Sequence, residues 1–149
     1  MKSGSIKSFQ NNCLSEVLSR HPVVLAYIYG SVAVEKATSS SDIDLALVVE
    51  EDAISSDVRL KFELQIEEEI ARKCEIGNAD VRVINDAPLI IKGEVVTTGR
   101  LIFCRNEEAR VAFETQTRMA YFDFLPVHAM IQDAYFKQIE EHGFYGKSR

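Results

Sequence analysis

Two short motifs carry groups in this chain that could perform chemistry. Gly30-Ser31 follows an apolar run at 23–29, and Asp42-Ile43-Asp44 opens the next apolar run ten residues later. Because side chains alternate along a strand, Asp42 and Asp44 are expected on one face, with Ile43 turned towards the core. Two neighbouring carboxylates favour a cation, and Mg²⁺ takes carboxylate and phosphate oxygens. A small-residue turn with exposed N–H groups beside that cation suits a triphosphate, so the pattern indicates nucleotidyl transfer.

A third acid supports this interpretation. Asp80 opens a predicted strand after a helix, so it is expected beside the second strand at the same edge of the sheet. Three carboxylates from adjacent strands would hold one or two Mg²⁺ ions. Gly30 would leave room for close approach of the phosphates, and Ser31 would hold the β- and γ-phosphates. We expect Asp80 to orient or deprotonate the acceptor hydroxyl.

Each motif is weak evidence by itself. An Asp-x-Asp pair at the end of a strand is commonly only a solvated surface feature, and a Gly-Ser pair is weaker still. The fixed spacing, with a strand on each side, favours a functional site. Tyr121, Phe122 and Phe124 are interpreted as core residues and not as a platform for base stacking.

Hydrophobic periodicity predicts the elements that position these residues. The pattern at 56–74 is compatible with a strand or a helix, and its length and composition favour the helix, with Gly77-Asn78 as its C-terminal stop. We expect a break at Pro126 in the following helical region. The predicted elements are a helix at 6–18 capped by Ser3 or Ser5 and ended by His21-Pro22, strands at 23–29 and 42–50, a helix at 56–74, a strand at 80–84, a helix at 88–96, a strand at 101–104, and helices at 107–125 and 127–139.

The chain is predicted to be a single domain over 1–149, with its core at about 20–126. Residues 127–149 form an amphipathic extension beyond that core. An amphipathic helix must bury its apolar face. We expect it to pack on its own domain, and a partner or dimer interface is the alternative.

Composition excludes several classes of protein. The net charge of −6 argues against direct nucleic-acid binding through bulk attraction. Cys13, Cys74 and Cys104 are few, odd in number and without CxxC spacing, so we expect neither a disulfide framework nor a zinc site. The amino terminus lacks the apolar segment of a signal peptide, and no apolar run approaches the roughly 20 residues that span a bilayer. We therefore expect a cytoplasmic protein with no membrane partner.

The string Tyr29-Gly30-Ser31 … Ser41-Asp42-Ile43-Asp44-Leu45 resembles the signature of the DNA polymerase β-like nucleotidyltransferases, and in particular the minimal nucleotidyltransferase (MNT) proteins. The likeness covers roughly 20–126. Its further parts are the third-acid strand Asp80 to Asn85, the segment Gly99-Arg100-Leu101-Ile102-Phe103, and Arg110, Phe113, Tyr121 and Asp123 in the closing helix.

This resemblance implies an α/β (α+β) fold, with a small mixed sheet of about four strands flanked by helices and with further C-terminal helices. It also implies Mg²⁺, ATP and pairing with a HEPN-domain protein, a helical ribonuclease toxin. Such antitoxins transfer AMP to a tyrosine of the toxin. The alternatives are an antitoxin that acts by binding alone and, less favoured, transfer to a small molecule.

The chain departs from the family pattern on the phosphate side. Family members often carry arginines shortly after Gly-Ser, where this chain has Val32-Ala33-Val34-Glu35. Those arginines would help to neutralise a triphosphate. Lys36 is the candidate substitute within the chain, and a cation from a partner is the alternative.

Overall fold

The computed structural model describes residues 8–30 and 43–142. The predicted caps Ser3 and Ser5 therefore lie outside the described residues. The elements are α1 (Ser8–Ser19), β1 (Val23–Tyr29), β2 (Ile43–Val49), a 3₁₀ turn (Ser56–Val58), α2 (Arg59–Cys74), β3 (Ala79–Val83), α3 (Leu89–Thr98), β4 (Arg100–Cys104) and α4 (Glu107–His142). The predicted strands and the helical interpretation of α2 are confirmed, with no described end shifted by more than three residues.

The four strands form one mixed sheet in the order β3-β2-β1-β4. β1 runs antiparallel to both β2 and β4, whereas β2 and β3 are parallel. Parallel neighbours need a long crossover connection, which α2 provides here. As a result the end of β1 and the starts of β2 and β3 meet at one edge of the sheet, which confirms the predicted arrangement.

Helices cover the two faces of the sheet unequally. α1 and α2 pack on one face over the larger core, which includes Leu18, Leu45 and Ile66. The second face has a smaller buried cluster, and α3 and α4 contact that face at β1. Side chains of β2 and β3 near the shared edge consequently stay accessible on the second face. The smaller cluster consists of Leu25, Tyr27, Ala46, Ile84 and Val95.

A disulfide joins Cys13 of α1 to Cys74 at the end of α2, with the Cα atoms 5.7 Å apart. The expectation that no disulfide forms was therefore wrong. That expectation relied on the number and local spacing of the cysteines, but these two are 61 residues apart in sequence. They meet because α1 and α2 pack side by side on the same face of the sheet. Cys104 is a free thiol.

Removing this bridge is expected to lower the free energy of unfolding. Replacing Cys13 and Cys74 together by serine should cost about 2–4 kcal/mol, because the unfolded chain loses a long covalent loop closure. Urea denaturation of the oxidised protein and the variant measures the difference. A reductant should lower the stability of the native sequence and leave the double variant unchanged. Equal midpoints for oxidised and reduced protein would contradict the prediction.

Two predicted helix ends were also wrong. α2 ends at Cys74, and its C-cap is Glu75 in the left-handed region with φ 58°, so Gly77-Asn78 is not the stop. Pro126 lies inside α4, which continues to His142 as one helix. A proline removes one helical hydrogen bond. Because Phe122 and Pro126 are both exposed, water can bind the carbonyl group that loses its partner, and the helix need not end.

The distal half of α4, defined here as residues 126–142, does not pack on the domain as predicted. None of these residues is buried. Phe122 is 56% exposed, so its assignment to the core was wrong, whereas Tyr121 is buried and Phe124 is half-buried. Among the described residues no helix has an apolar stretch long enough to cross a bilayer. The large exposed side chains in the distal half are Val127, Met130, Ile131, Tyr135 and Phe136.

Candidate functional site

The sheet brings Tyr29, Asp44 and Asp80 into one row across three strands. Tyr29 lies opposite Asp44 in the antiparallel pair, and Asp44 lies opposite Asp80 in the parallel pair. Residues directly opposite on neighbouring strands project on the same face. The structure therefore brings two of the three predicted acids together at the shared edge, on the face that α3 and α4 leave accessible.

Both carboxylates influence the Tyr29 hydroxyl. Burial raises the pKa of Tyr29 above its usual value, and the negative charges of Asp44 and Asp80 raise it further. The nearby Arg82 guanidinium opposes this rise. The Tyr29 hydroxyl therefore stays protonated at physiological pH. It adds no third negative charge beside Asp44 and Asp80.

Asp80 has a counter-ion on its own strand. Arg82 lies two residues further along β3, and its Nε donates to Oδ1 of Asp80 at 3.1 Å. This hydrogen bond is the main reason that the pKa of Arg82 is raised. The sequence interpretation missed Arg82, although its two-residue spacing from Asp80 predicts the same face of the strand.

Gly30 directly follows β1 and adopts a backbone conformation that suits glycine. Its φ of +82° lies in the left-handed region, and a Cβ at this position would approach Oδ2 of Asp44 to 2.7 Å. The sequence interpretation expected glycine to leave room for phosphates. The structure shows a second reason, because any side chain at position 30 would displace the Asp44 carboxylate.

Gly30→Ala is therefore expected to reduce the nucleotidyl transfer that the sequence predicts by about 10- to 100-fold, because even small displacements of a reacting group are costly. It should also lower stability by about 1 kcal/mol because of the positive φ. The matched control is Gly77→Ala, since a Cβ at Gly77 has no neighbour within 4 Å. Steady-state rates and urea midpoints of both variants provide the test. Equal activity of the two variants would show that the Gly30 contact with Asp44 does not matter.

The edge strand β3 is held in place by carboxylates of α2. Val81 N–H donates to Oε2 of Glu67 at 2.9 Å, and Val83 N–H donates to Oε2 of Glu63 at 2.8 Å. These bonds satisfy backbone donors that an outer strand would otherwise leave unpaired. They fix the strand that carries Asp80. The sequence interpretation did not identify either glutamate, although their spacing of four places both on one side of a helix.

A second network joins α4 to the strand that leads to Gly30. The Tyr27 hydroxyl donates to Oε2 of Glu114 at 2.7 Å. Arg110 bridges two acids of α4, donating to Glu114 at 2.9 Å and also to Glu107. Burial, followed by this bond to Glu114, raises the pKa of Tyr27 far above its usual value. The network fixes β1 to α4 on the same face as the row of site residues, two residues along β1 from Tyr29.

The donor chemistry of this row fits a divalent cation. Asp44 and Asp80 offer adjacent carboxylates, which are the hard oxygen donors that Mg²⁺ prefers. Within residues 8–30 and 43–142, no three potential metal-binding side chains converge. The predicted third acid Asp42 lies outside the described residues, as do Ser31 and Lys36. Their roles stay predictions.

Comparison with known proteins gives one family match. Residues 12–108 match the family described as Polymerase beta, Nucleotidyltransferase. The comparison with curated proteins finds no match.

Several solved structures share the fold. A chain from a toxin–antitoxin complex with AMP-PNP has a TM-score of 0.64 and 20% identity, covering 83% of this chain and 97% of that one. A chain from the toxin–antitoxin complex MntA–HepT has a TM-score of 0.62 and 19% identity, covering 86% and 98%. A chain from the complex of the tri-AMPylated Shewanella oneidensis HEPN toxin with the MNT antitoxin has a TM-score of 0.63 and 19% identity, covering 87% and 98%.

Proposed function

Because this chain belongs to the polymerase β nucleotidyltransferase family, we propose that it transfers AMP from ATP to a tyrosine hydroxyl of a HEPN-domain ribonuclease toxin and so acts as its antitoxin. The family match confirms the resemblance drawn from the Gly-Ser and Asp-x-Asp motifs. The observation that carries the proposed activity is the pairing of Asp44 with Asp80 on adjacent strands, beside the left-handed Gly30.

The proposed roles follow from charge. Asp42, Asp44 and Asp80 would hold one or two Mg²⁺ ions, which would neutralise negative charge on the phosphates during transfer. Gly30 and Ser31 would hold the β- and γ-phosphates, with Lys36 as a further nucleotide contact. The tyrosine oxygen attacks the α-phosphorus, pyrophosphate leaves, and Asp80 orients the hydroxyl and receives its proton.

Two observations support a HEPN toxin as the acceptor. One solved complex of the same fold contains a tri-AMPylated HEPN toxin together with an MNT antitoxin. The distal half of α4 also leaves apolar side chains in solvent, with Met130 70% and Ile131 61% exposed. Exposed apolar surface of this kind is typical of a protein-binding site. We propose that the toxin binds there.

We further propose that this antitoxin and its toxin act in the cytoplasm. Disulfides are rare in that compartment, so we expect Cys13 and Cys74 to be thiols in the cell and to pair when the purified protein is oxidised. Trapping cellular thiols with a mass-shifting alkylating reagent would count them. A protein that already carries the disulfide in fresh lysate would contradict a reducing compartment.

The transfer reaction can be tested directly. The purified chain is incubated with Mg²⁺, the HEPN protein encoded beside it, and ATP labelled on either the α- or the γ-phosphate. We expect label on a toxin tyrosine from α-labelled ATP only, together with loss of ribonuclease activity. The γ-labelled reaction is the control that distinguishes AMP transfer from phosphorylation. Absence of label on the toxin would overturn the proposal.

An antitoxin that acts by binding alone is the second candidate. It is favoured by the segment Val32-Ala33-Val34-Glu35, which lacks the family's arginines, and by the exposed distal half of α4. The Asp44→Asn variant separates the two candidates. If binding alone suffices, this variant still neutralises the toxin without labelling it. If AMP transfer is required, the variant binds the toxin and fails to neutralise it.

A further inference from the structure

One positively charged side chain, that of Arg82, contacts Asp80 on the accessible face of the sheet. Arg82 is 63% exposed and pairs with Asp80, whose side chain is 44% exposed. In the parallel pairing of β2 and β3, Arg82 lies opposite Ala46, just as Asp80 lies opposite Asp44. Arg82 therefore projects on the face that carries both acids. Ala46 itself is fully buried in the smaller cluster, whereas the Arg82 side chain extends into solvent.

The phosphate side of the site needs such a cation. ATP brings several negative charges, and Val32-Ala33-Val34-Glu35 offers no arginine to meet them, which leaves Lys36 as the one basic residue in the sequence between Gly30 and Asp42. A guanidinium is suited to this task, because its planar fork donates two parallel hydrogen bonds to phosphate oxygens. A flexible, exposed side chain can also change partners at little cost, since a solvent-exposed ion pair contributes little to stability.

We propose that Arg82 exchanges one anionic partner for another: it pairs with Asp80 before a divalent cation binds, and with the phosphate oxygens of the nucleoside triphosphate afterwards. The inference rests on the proposed function and assigns a nucleotide-binding residue to it. A cation bound by Asp80 and Asp44 competes with Arg82 for the same carboxylate. The displaced guanidinium would then be available to donate to the phosphate oxygens of the nucleotide.

This exchange predicts two effects of opposite sign in Arg82→Gln. The metal alone should bind more tightly, because the competing guanidinium is gone, and we expect its dissociation constant to fall about 3- to 10-fold. The nucleotide should bind more weakly, because a charge-assisted hydrogen bond is lost, and we expect its dissociation constant to rise at least about 10-fold. Arg82→Lys keeps the charge without the planar fork and should give intermediate values.

The experiment uses the full chain. Mn²⁺ binding without nucleotide is measured by electron paramagnetic resonance, and binding of a non-hydrolysable α,β-methylene ATP with Mg²⁺ is measured by calorimetry. Arg72→Gln is the matched control, because Arg72 is an exposed arginine near the end of α2, which packs on the opposite face of the sheet. It should leave both dissociation constants unchanged.

Each outcome decides the inference. Opposite shifts in Arg82→Gln, absent from Arg72→Gln, support it. Shifts in the same direction indicate a merely structural role for Arg82 and overturn it, as does an unchanged dissociation constant for either ligand. If the glutamine variant fails to fold, the same comparison is made with Arg82→Lys. When the native chain binds both ligands and labels the toxin but the variants match it, only this inference fails. A native chain that binds neither ligand overturns the proposed function as well.

Discussion

Asp44→Asn is expected to reduce AMP transfer by about 10³-fold while leaving the fold intact. The amide has nearly the shape of the carboxylate but lacks the charge that would hold a cation beside Asp80. Stability should stay equal or rise slightly, because like charges directly opposite on neighbouring strands repel each other. Transfer of α-labelled AMP, Mn²⁺ binding and the urea midpoint measure the three quantities. Activity within tenfold of the native chain would exclude Asp44 from the metal site.

The matched control for this variant is Asp52→Asn. Asp52 is an exposed acid that follows β2 at the end opposite to Asp44. Its φ is 61°, a left-handed conformation that asparagine tolerates well. The substitution therefore removes the same charge from the same region of the chain without strain. Both variants should fold, and only Asp44→Asn should lose transfer.

The row of site residues could be predicted because short-range patterns determine it. The apolar runs at 23–29 and after Asp42 define two strands, and alternation places Asp44 on the face away from Leu45. Asp80 was predicted beside them because it opens a strand that follows a helix. The strands and the helix behind these predictions were each recognised from local periodicity.

The features that the sequence did not predict depend on packing between distant segments. Cys13 and Cys74 pair only because α1 and α2 lie side by side. Glu63 and Glu67 bind the backbone of β3 only because α2 packs along that strand. No local pattern indicates such partners. A glutamate on a helix has the same sequence context whether or not its carboxylate binds a neighbouring strand.

For the distal half of α4, the sequence predicted the helix pattern correctly but not where its apolar face packs. Its amphipathic pattern was recognised, but the pattern gives no information on what covers the apolar face. Proline at position 126 suggested a separate helix that could fold back, whereas the continuous helix carries its apolar residues away from the core. An apolar face without a partner in the same chain is consistent with the proposed toxin-binding surface.

Charged substitutions on this surface should strongly weaken toxin binding. Val127, Met130, Ile131 and Ala134 follow the spacing of one helical face. Met130→Glu combined with Ile131→Glu is expected to weaken toxin binding at least about 100-fold, because each carboxylate would be buried without a partner. The urea midpoint should not change, since the two side chains are 70% and 61% exposed. Calorimetry with the purified toxin measures the affinity.

Ala129→Glu combined with Gln132→Glu is the matched control for this double variant. Both residues are exposed in the same part of α4. Helical geometry places them opposite to Val127, Met130, Ile131 and Ala134, on the side that carries the exposed Phe136. They add the same charge, so any difference between the two double variants reflects position and not net charge. The apolar-face variant should bind Mn²⁺ and nucleotide normally yet fail to label the toxin, because catalysis and docking use different parts of the chain. If it binds the toxin with native affinity, the toxin must dock elsewhere, and the exposed face of α4 then needs another partner.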